Sequence, residues 1–153
     1  MKDGELRLRR LRIFDGPWIK KTFIDDDTLK SSGLSKPIST PWFFVWWWIN
    51  KTFELAYCIE LDSKQIGFIG LYNLELGKSA EMTLVISEKG KRRMGYGTRT
   101  FHLFAQTIRR YKLIERIAVN VREDNYASIS FWSGLGFVHR RGLDGIKVMS
   151  VDL

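Results

Sequence analysis

The spacing of apolar residues changes abruptly between Ser87 and Phe101, and the change falls on a basic stretch that contains three glycines, Gly90, Gly95 and Gly97. Up to Ser87 apolar residues recur every second position, in "ELAYCIE", "QIGFIGLYNL" and "AEMTLVIS". From Phe101 they recur at three, four and seven, through Phe104, Ala105, Ile108 and Tyr111. Alternation turns one face of a strand to a core, and the wider spacing turns one stripe of a helix there. Asp62-Ser63 and Leu76-Gly77-Lys78 supply turns between the strands. The pattern predicts an antiparallel meander feeding a long amphipathic helix.

The rest of the chain extends that order. Leu6, Leu8 and Ile13 mark a first strand region, and "FDGPWIKKTFIDDDTLKSSG" reads as a helix and loop with a break near Gly33. Asp25-Asp26-Asp27 reads as a solvated turn. Thr40-Pro41 has the form of an N-cap with proline at the first helical position. "WFFVWWWIN" after it is apolar on every face, as in a helix buried all round or facing a ligand or partner. After the long helix come a strand at "RIAVNV", a short helix from about Ala127 to Leu135, and closing strands at "GFVHRR" and "IKVMSV". The order implies an α+β fold with a mixed, mostly antiparallel sheet flanked by helices.

With 153 residues, 44% of them hydrophobic, the expectation is a single domain spanning 1–153. Cys58 is the only cysteine, which rules out an intrachain disulfide and points to a reducing compartment. His102 and His139 have no partner at metal-ligand spacing, so no metal site is expected. "MKDGELRLRR" lacks the apolar core of a signal peptide, and no apolar run has the length of a membrane span. A cytoplasmic protein without a membrane partner is the expectation. The net charge of +8 favours an anionic partner, either a nucleic acid or a phosphorylated cofactor. The basic residues are dispersed and no nucleic-acid motif is present, which argues against nucleic acid.

The loop itself suits a diphosphate. "RRMGYG" lies between a strand ending near Ser87 and a helix starting near Gly97. A helix start has unpaired N–H groups and a partial positive charge. Gly95 and Gly97 allow backbone to approach an anion closely, and Lys89, Lys91, Arg92, Arg93 and Arg99 add charge. A glycine pair in a simple turn reads the same way. No Gly-Lys-Ser/Thr follows, so this is not a Walker loop, and a dinucleotide fingerprint lacks its third glycine.

The second half of the pattern is "NYASISFWSGLGF", with Asn125, Ser128, Trp132 and Gly136-Phe137. Arg92-x-x-Gly95-x-Gly97, then helix, strand, Asn-x-x-Ser and Gly-Phe, resembles the GNAT superfamily of acyl-CoA N-acyltransferases. The resemblance covers about residues 54–140 in element order, with its motifs in 81–137. "IGFIGLYNLELGKSAE" is loosely similar to the branch containing ribosomal-protein N-terminal acetyltransferases, whose members also act on small amines, amino sugars and antibiotics.

The resemblance implies acetyl-CoA as cosubstrate and a primary amine as acceptor: a peptide N-terminus, an amino-sugar nucleotide or a small amine. It implies that Val85 and Ser87 offer backbone to the pantetheine arm, and that Arg92, Arg93, Met94, Gly95, Tyr96, Gly97 and Thr98 cradle the pyrophosphate. Asn125 would contact the arm from the far side.

At pH 7 a lysine-like amine of pKa about 10.4 costs about 4.6 kcal/mol to deprotonate, and an α-amine of about 7.8 costs about 1 kcal/mol. A base therefore matters most for the first. Glu81, eleven positions before Arg92, resembles the catalytic glutamate of histone-acetylating members; its other reading is a carboxylate that only attracts a cationic acceptor. A backbone N–H near Val85 is the expected donor to the carbonyl oxygen.

Many members place a tyrosine acid where this chain has Trp132, and an indole cannot donate a proton at neutral pH. Tyr126 is a substitute at the wrong offset from Asn125. Trp132 then packs against the pantetheine or the acceptor, or belongs to the core. Trp42, Phe43, Trp46 and Trp47 fit an acceptor pocket, a core or a homodimer interface. The missing tyrosine motivates one alternative, a non-catalytic coenzyme-A-binding module or regulator.

Overall fold

In the computed structural model, residues 1–24 and 55–153 are described. The aspartate turn, the Thr40-Pro41 cap and the aromatic segment 42–49 lie outside the described residues. Eight strands form one sheet: β1 (Lys2–Asp3), β2 (Leu6–Arg10), β3 (Ala56–Leu61), β4 (Lys64–Glu75), β5 (Ser79–Ile86), β6 (Arg116–Arg122), β7 (Val138–Leu143) and β8 (Ile146–Asp152). Three α-helices accompany them among the described residues: α1 (Gly16–Ile24), α2 (Tyr96–Arg110) and α3 (Tyr126–Gly134). The expected first strand region ends at Arg10, because Ile13 belongs to a 3₁₀ turn, Ile13–Asp15, ahead of α1.

The strand order is β1-β2-β3-β4-β5-β6-β8-β7. Every neighbouring pair is antiparallel except β5–β6. Parallel neighbours need a crossover, and α2 provides it. Asp62 and Ser63, at φ 47° and 64°, close the β3–β4 hairpin with the doubly left-handed turn that suits strand twist.

The meander and its α+β context are thus as the residue spacing implied. The parallel pair, however, is short. It runs from Ser79↔Arg116 to Glu81↔Ala118, after which β5 and β6 continue unpaired with each other. The sheet forks there.

The main core lies on the face covered by α2 and α3. Phe101, Phe104, Ala105 and Ile108 of α2 meet Ile69, Leu71, Met82, Ile117, Val119 and Val121 of the strands. Tyr111, placed by spacing on the same stripe, is 67% exposed; it caps the C-terminal end of α2, beyond the last turn that can reach the sheet. On the opposite face α1 brings Ile19 onto Cys58, Phe68 and Val85. No described helix is long and apolar enough to cross a membrane.

Beside that second core lies a buried ion-pair network. Arg9 grips Asp15 with two N–H groups, at 2.6 and 2.9 Å, and donates through Nε to Glu60 at 2.5 Å. The Arg12 amide and the Gln65 side chain also donate to Asp15. Burial alone would raise the Asp15 carboxyl, but Arg9, Arg12 and Gln65 outweigh it and hold it below the usual carboxylate range. The Cys58 thiol is pushed up to about 12, chiefly by burial, and is therefore unreactive at neutral pH.

Thr100 is fully buried in α2, and its hydroxyl has no hydrogen-bond partner among the described residues. A buried hydroxyl without a partner costs about 1–3 kcal/mol. Thr100→Val is therefore expected to leave the melting temperature unchanged or raise it by a few degrees. A clear fall in a thermal melt would mean that the hydroxyl does have a partner.

Candidate active site

The fork between β5 and β6 opens into a cleft of about 840 Å³. One wall carries Leu84, Val85 and Ile86 of β5 and then Lys91, Arg92 and Arg93 of the loop. Gly95, Gly97 and Thr98 form its end at the start of α2. The other wall is Asp124, Asn125, Ala127, Ser128 and Phe131.

The hydrogen-bonding register decides which β5 groups face the cleft. The Ser87 N–H donates to the Ile66 carbonyl at 2.9 Å, on the β4 side. Amides alternate in direction along a strand, so Val85 also faces β4, while Leu84 and Ile86 face the fork. The Ile86 carbonyl agrees, since it accepts from Arg92 Nε at 2.8 Å. The expectation that Val85 and Ser87 offer their backbone is therefore corrected by one residue. Ser87 lines instead a smaller cleft of about 330 Å³ beside Trp18 and Lys21 of α1.

The start of α2 is chemically open. Gly95, at φ 81°, is its N-cap and has no side-chain cap; Arg93, at φ 60°, is left-handed as well. The first bond that closes on Gly95 comes from the Arg99 amide at 3.0 Å, which leaves the Tyr96, Gly97 and Thr98 amides ahead of it. By contrast, α3 caps itself, with Asn125 Oδ1 accepting from the Ser128 amide at 3.1 Å. The Asn-x-x-Ser spacing is thus a helix cap that also lines the cleft.

Gly97 has a packing role in the same place. A Cβ built on it would lie 3.2 Å from the Phe131 ring and 3.7 Å from Leu84. Gly97→Val is expected to push Phe131 into the cleft and weaken coenzyme A binding at least ~10-fold, which is about 1.4 kcal/mol. Calorimetric titration checks this, and an unchanged affinity would place the ligand elsewhere.

Several expected residues do other work. Met94 is 57% exposed and lies outside the cleft lining. The Tyr96 side chain is also outside it, beneath the Arg99 guanidinium at 6.0 Å. Arg99 binds Asp3 and Glu5 at 2.9 and 3.0 Å, so its charge is tied to the N-terminal hairpin. Trp132 is 6% exposed and packs with Phe101, Phe131 and Phe137. It is a core residue; successive helical positions lie about 100° apart, and Phe131 takes the cleft-facing one. Tyr126 is 78% exposed and does not line the cleft.

At the closed end of the fork stands Glu81. Its neighbours Ala80 and Met82 enter the main core, so its side chain lies on the opposite face. Oε2 accepts from Asn120 Nδ2 at 2.6 Å, across the last paired level of β5 and β6. Oε1 accepts from Asn73 Nδ2 at 3.1 Å. Tyr72 is cross-strand from Glu81, and its phenol is pushed up, first by burial and further by the Glu81 charge, against Thr83 and Asn120.

Asn120 has a visible sequence signal, a polar residue in "RIAVNV" that alternation sets opposite Val119 and Val121. Asn73 has a weaker one: it reaches Glu81 from a strand irregularity at φ 49°, a conformation that asparagine tolerates. Phe131 follows Ala127 and Ser128 at helical spacing, a stripe that was legible.

Residues 21–137 match the acetyltransferase (GNAT) family. No match is found among curated proteins. Solved structures share the fold at low identity. A domain from Methanocaldococcus jannaschii is 17% identical with TM-score 0.86, covering 99% of this chain and 100% of that one. The spermidine N-acetyltransferase from Vibrio cholerae, solved with CoA and spermine, is 18% identical with TM-score 0.77, covering 98% and 96%. The acetyltransferase from Salmonella typhimurium that modifies the N-terminal serine of ribosomal protein L7/L12 is 15% identical with TM-score 0.79, covering 99% and 96%.

Proposed function

The chain belongs to the acetyltransferase (GNAT) family, and on that premise we propose that it transfers the acetyl group of acetyl-CoA to a primary amine at the fork between β5 and β6. The observation that carries the reading is the uncapped start of α2 at the end of a long cleft, with Lys91, Arg92 and Arg93 around it. Such a helix start suits a pyrophosphate, and the outward-facing backbone of Leu84 and Ile86 suits the amide groups of a pantetheine arm. The donor set fits the cosubstrate.

When bound, acetyl-CoA supplies an acetyl thioester. The amides of Tyr96, Gly97 and Thr98 hold the phosphates, and a β5 N–H facing the fork stabilises charge on the carbonyl oxygen. Glu81 takes one proton from the ammonium of the acceptor, and as the N–C bond forms and the C–S bond breaks the second N–H proton passes to the departing sulfur or to solvent. Neither Trp132 nor Tyr126 faces the cleft to protonate the leaving sulfur. A thiolate of pKa about 8.5 leaves without that help.

The structural neighbours named for spermidine and for a ribosomal-protein N-terminus suggest both acceptor types for a first panel. Acetyl-CoA is expected to raise the melting temperature, and an amine on the panel is expected to release free thiol. Failure of coenzyme A to stabilise the protein at millimolar concentration would overturn the reading. Stabilisation without thiol release from any amine would favour the second reading, a coenzyme-A-binding module, which the buried tryptophan in place of an acid supports.

A further inference from the structure

The Glu81 carboxylate is half-buried, and its hydrogen-bond donors are neutral: the amides of Asn73 and Asn120 and the Tyr72 hydroxyl. Among the described residues no cation pairs with it, in a chain of net charge +8. A carboxylate only accepts hydrogen bonds, so both asparagines must turn their nitrogens to Glu81 whatever the density of neighbouring groups. The site is a carboxylate held by neutral donors, at the closed end of the fork beside the exposed Asn73.

We infer that Asn73 and Asn120 are positioning residues that fix Glu81 within an ammonium-binding site, so that the acceptor enters as an alkyl primary amine in its protonated form. The inference rests on the acetyl-transfer reading for its kinetics, but not for its binding. An ammonium group has three N–H donors, a positive charge and no acceptor, which matches the remaining lone pairs of the carboxylate. A hydroxyl of the same chain length brings one donor and no charge, and leaves the carboxylate unneutralised. Asn120 has a second effect, because its 2.6 Å bond crosses the point where β5 and β6 part. It sets the Glu81 oxygens at the level where the amine must give up its proton to reach the thioester.

The test uses n-butylamine and n-butanol on the full chain saturated with coenzyme A, followed by the side-chain amide resonances of Asn73 and Asn120. Butylammonium is expected to shift both; butanol is expected to shift neither. With acetyl-CoA, Asn120→Leu is expected to lower kcat/KM for butylamine about 10- to 100-fold, mostly in kcat, with the KM for acetyl-CoA unchanged. Asn73→Ala, at an exposed site, serves as the second variant and is expected to lose several-fold.

Equal shifts with butanol, or variants that keep wild-type kcat/KM, would overturn the inference. Amide shifts without any thiol release would support the ammonium site while overturning the acetyl-transfer reading.

Discussion

Glu81→Gln is expected to lower kcat for an alkylamine about 100- to 10,000-fold while leaving the affinity for acetyl-CoA unchanged. A positioned general base contributes a factor of that size. Glutamine keeps the shape and can meet both asparagines once one of their amides turns its oxygen towards the new NH2 group, but it cannot accept the amine proton. It lies three positions up β5 from Leu84, about 10 Å from the cleft lining at 3.3 Å per residue. Its removal should therefore not disturb the cosubstrate. The effect should be largest for an alkylamine, whose deprotonation costs about 4.6 kcal/mol at pH 7, and smaller for an α-amine, at about 1 kcal/mol. Stopped assays of thiol release with both acceptor types read this difference. A rate that stays within twofold of wild type for both would make Glu81 an attractor of cations and not a base.

Asp15→Asn is expected to destabilise the fold by about 3–5 kcal/mol, the cost of leaving one partner of a buried ion pair behind. Asp15 is 4% exposed, and asparagine offers Arg9 one neutral oxygen while turning an NH2 donor towards its other N–H in place of the second charged contact. For a chain of this size the melting temperature should fall by roughly 6–20 °C. The sign of the pH dependence follows from the carboxyl being held below its unfolded value. Its stabilisation is fully present above about pH 4, the unfolded value being about 3.9, and is lost as pH falls through the folded value. The gap between wild type and variant should therefore narrow as thermal melts are taken from pH 4 towards pH 2.5. Parallel curves over that range would mean that the network contributes no linked proton.

The elements were legible where one period governs a segment. Alternation in 55–87 and the stripe from Phe101 to Ile108 are local patterns, and burial follows them. The loop was legible for a similar reason, since Gly95 and a fresh helix start are neighbours in the chain. What failed was information carried between strands. The direction of the β5 amides depends on which of them pair with β4, and since Ser87 donates to Ile66 the backbone of Leu84 and Ile86, not that of Val85 and Ser87, faces the fork.

The sequence leaves Trp132 open between the cleft and the core for want of a helix phase, and its packing between Phe101 and Phe137 places it in the core. Arg99 looked like part of the basic loop, but its partners Asp3 and Glu5 lie over ninety positions away. Asn73 meets Glu81 only because the backbone turns left-handed there.

The central claim is that the fork between β5 and β6, ending on the open start of α2, receives the acyl carrier. Backbone amide resonances of the full chain, titrated with coenzyme A, test it most directly. The largest shifts are expected at Leu84, Ile86, Tyr96, Gly97 and Thr98, with smaller ones from Asn125 to Ser128. Shifts confined to the α1 face around Trp18 and Lys21, with residues 96–98 unmoved, would contradict it.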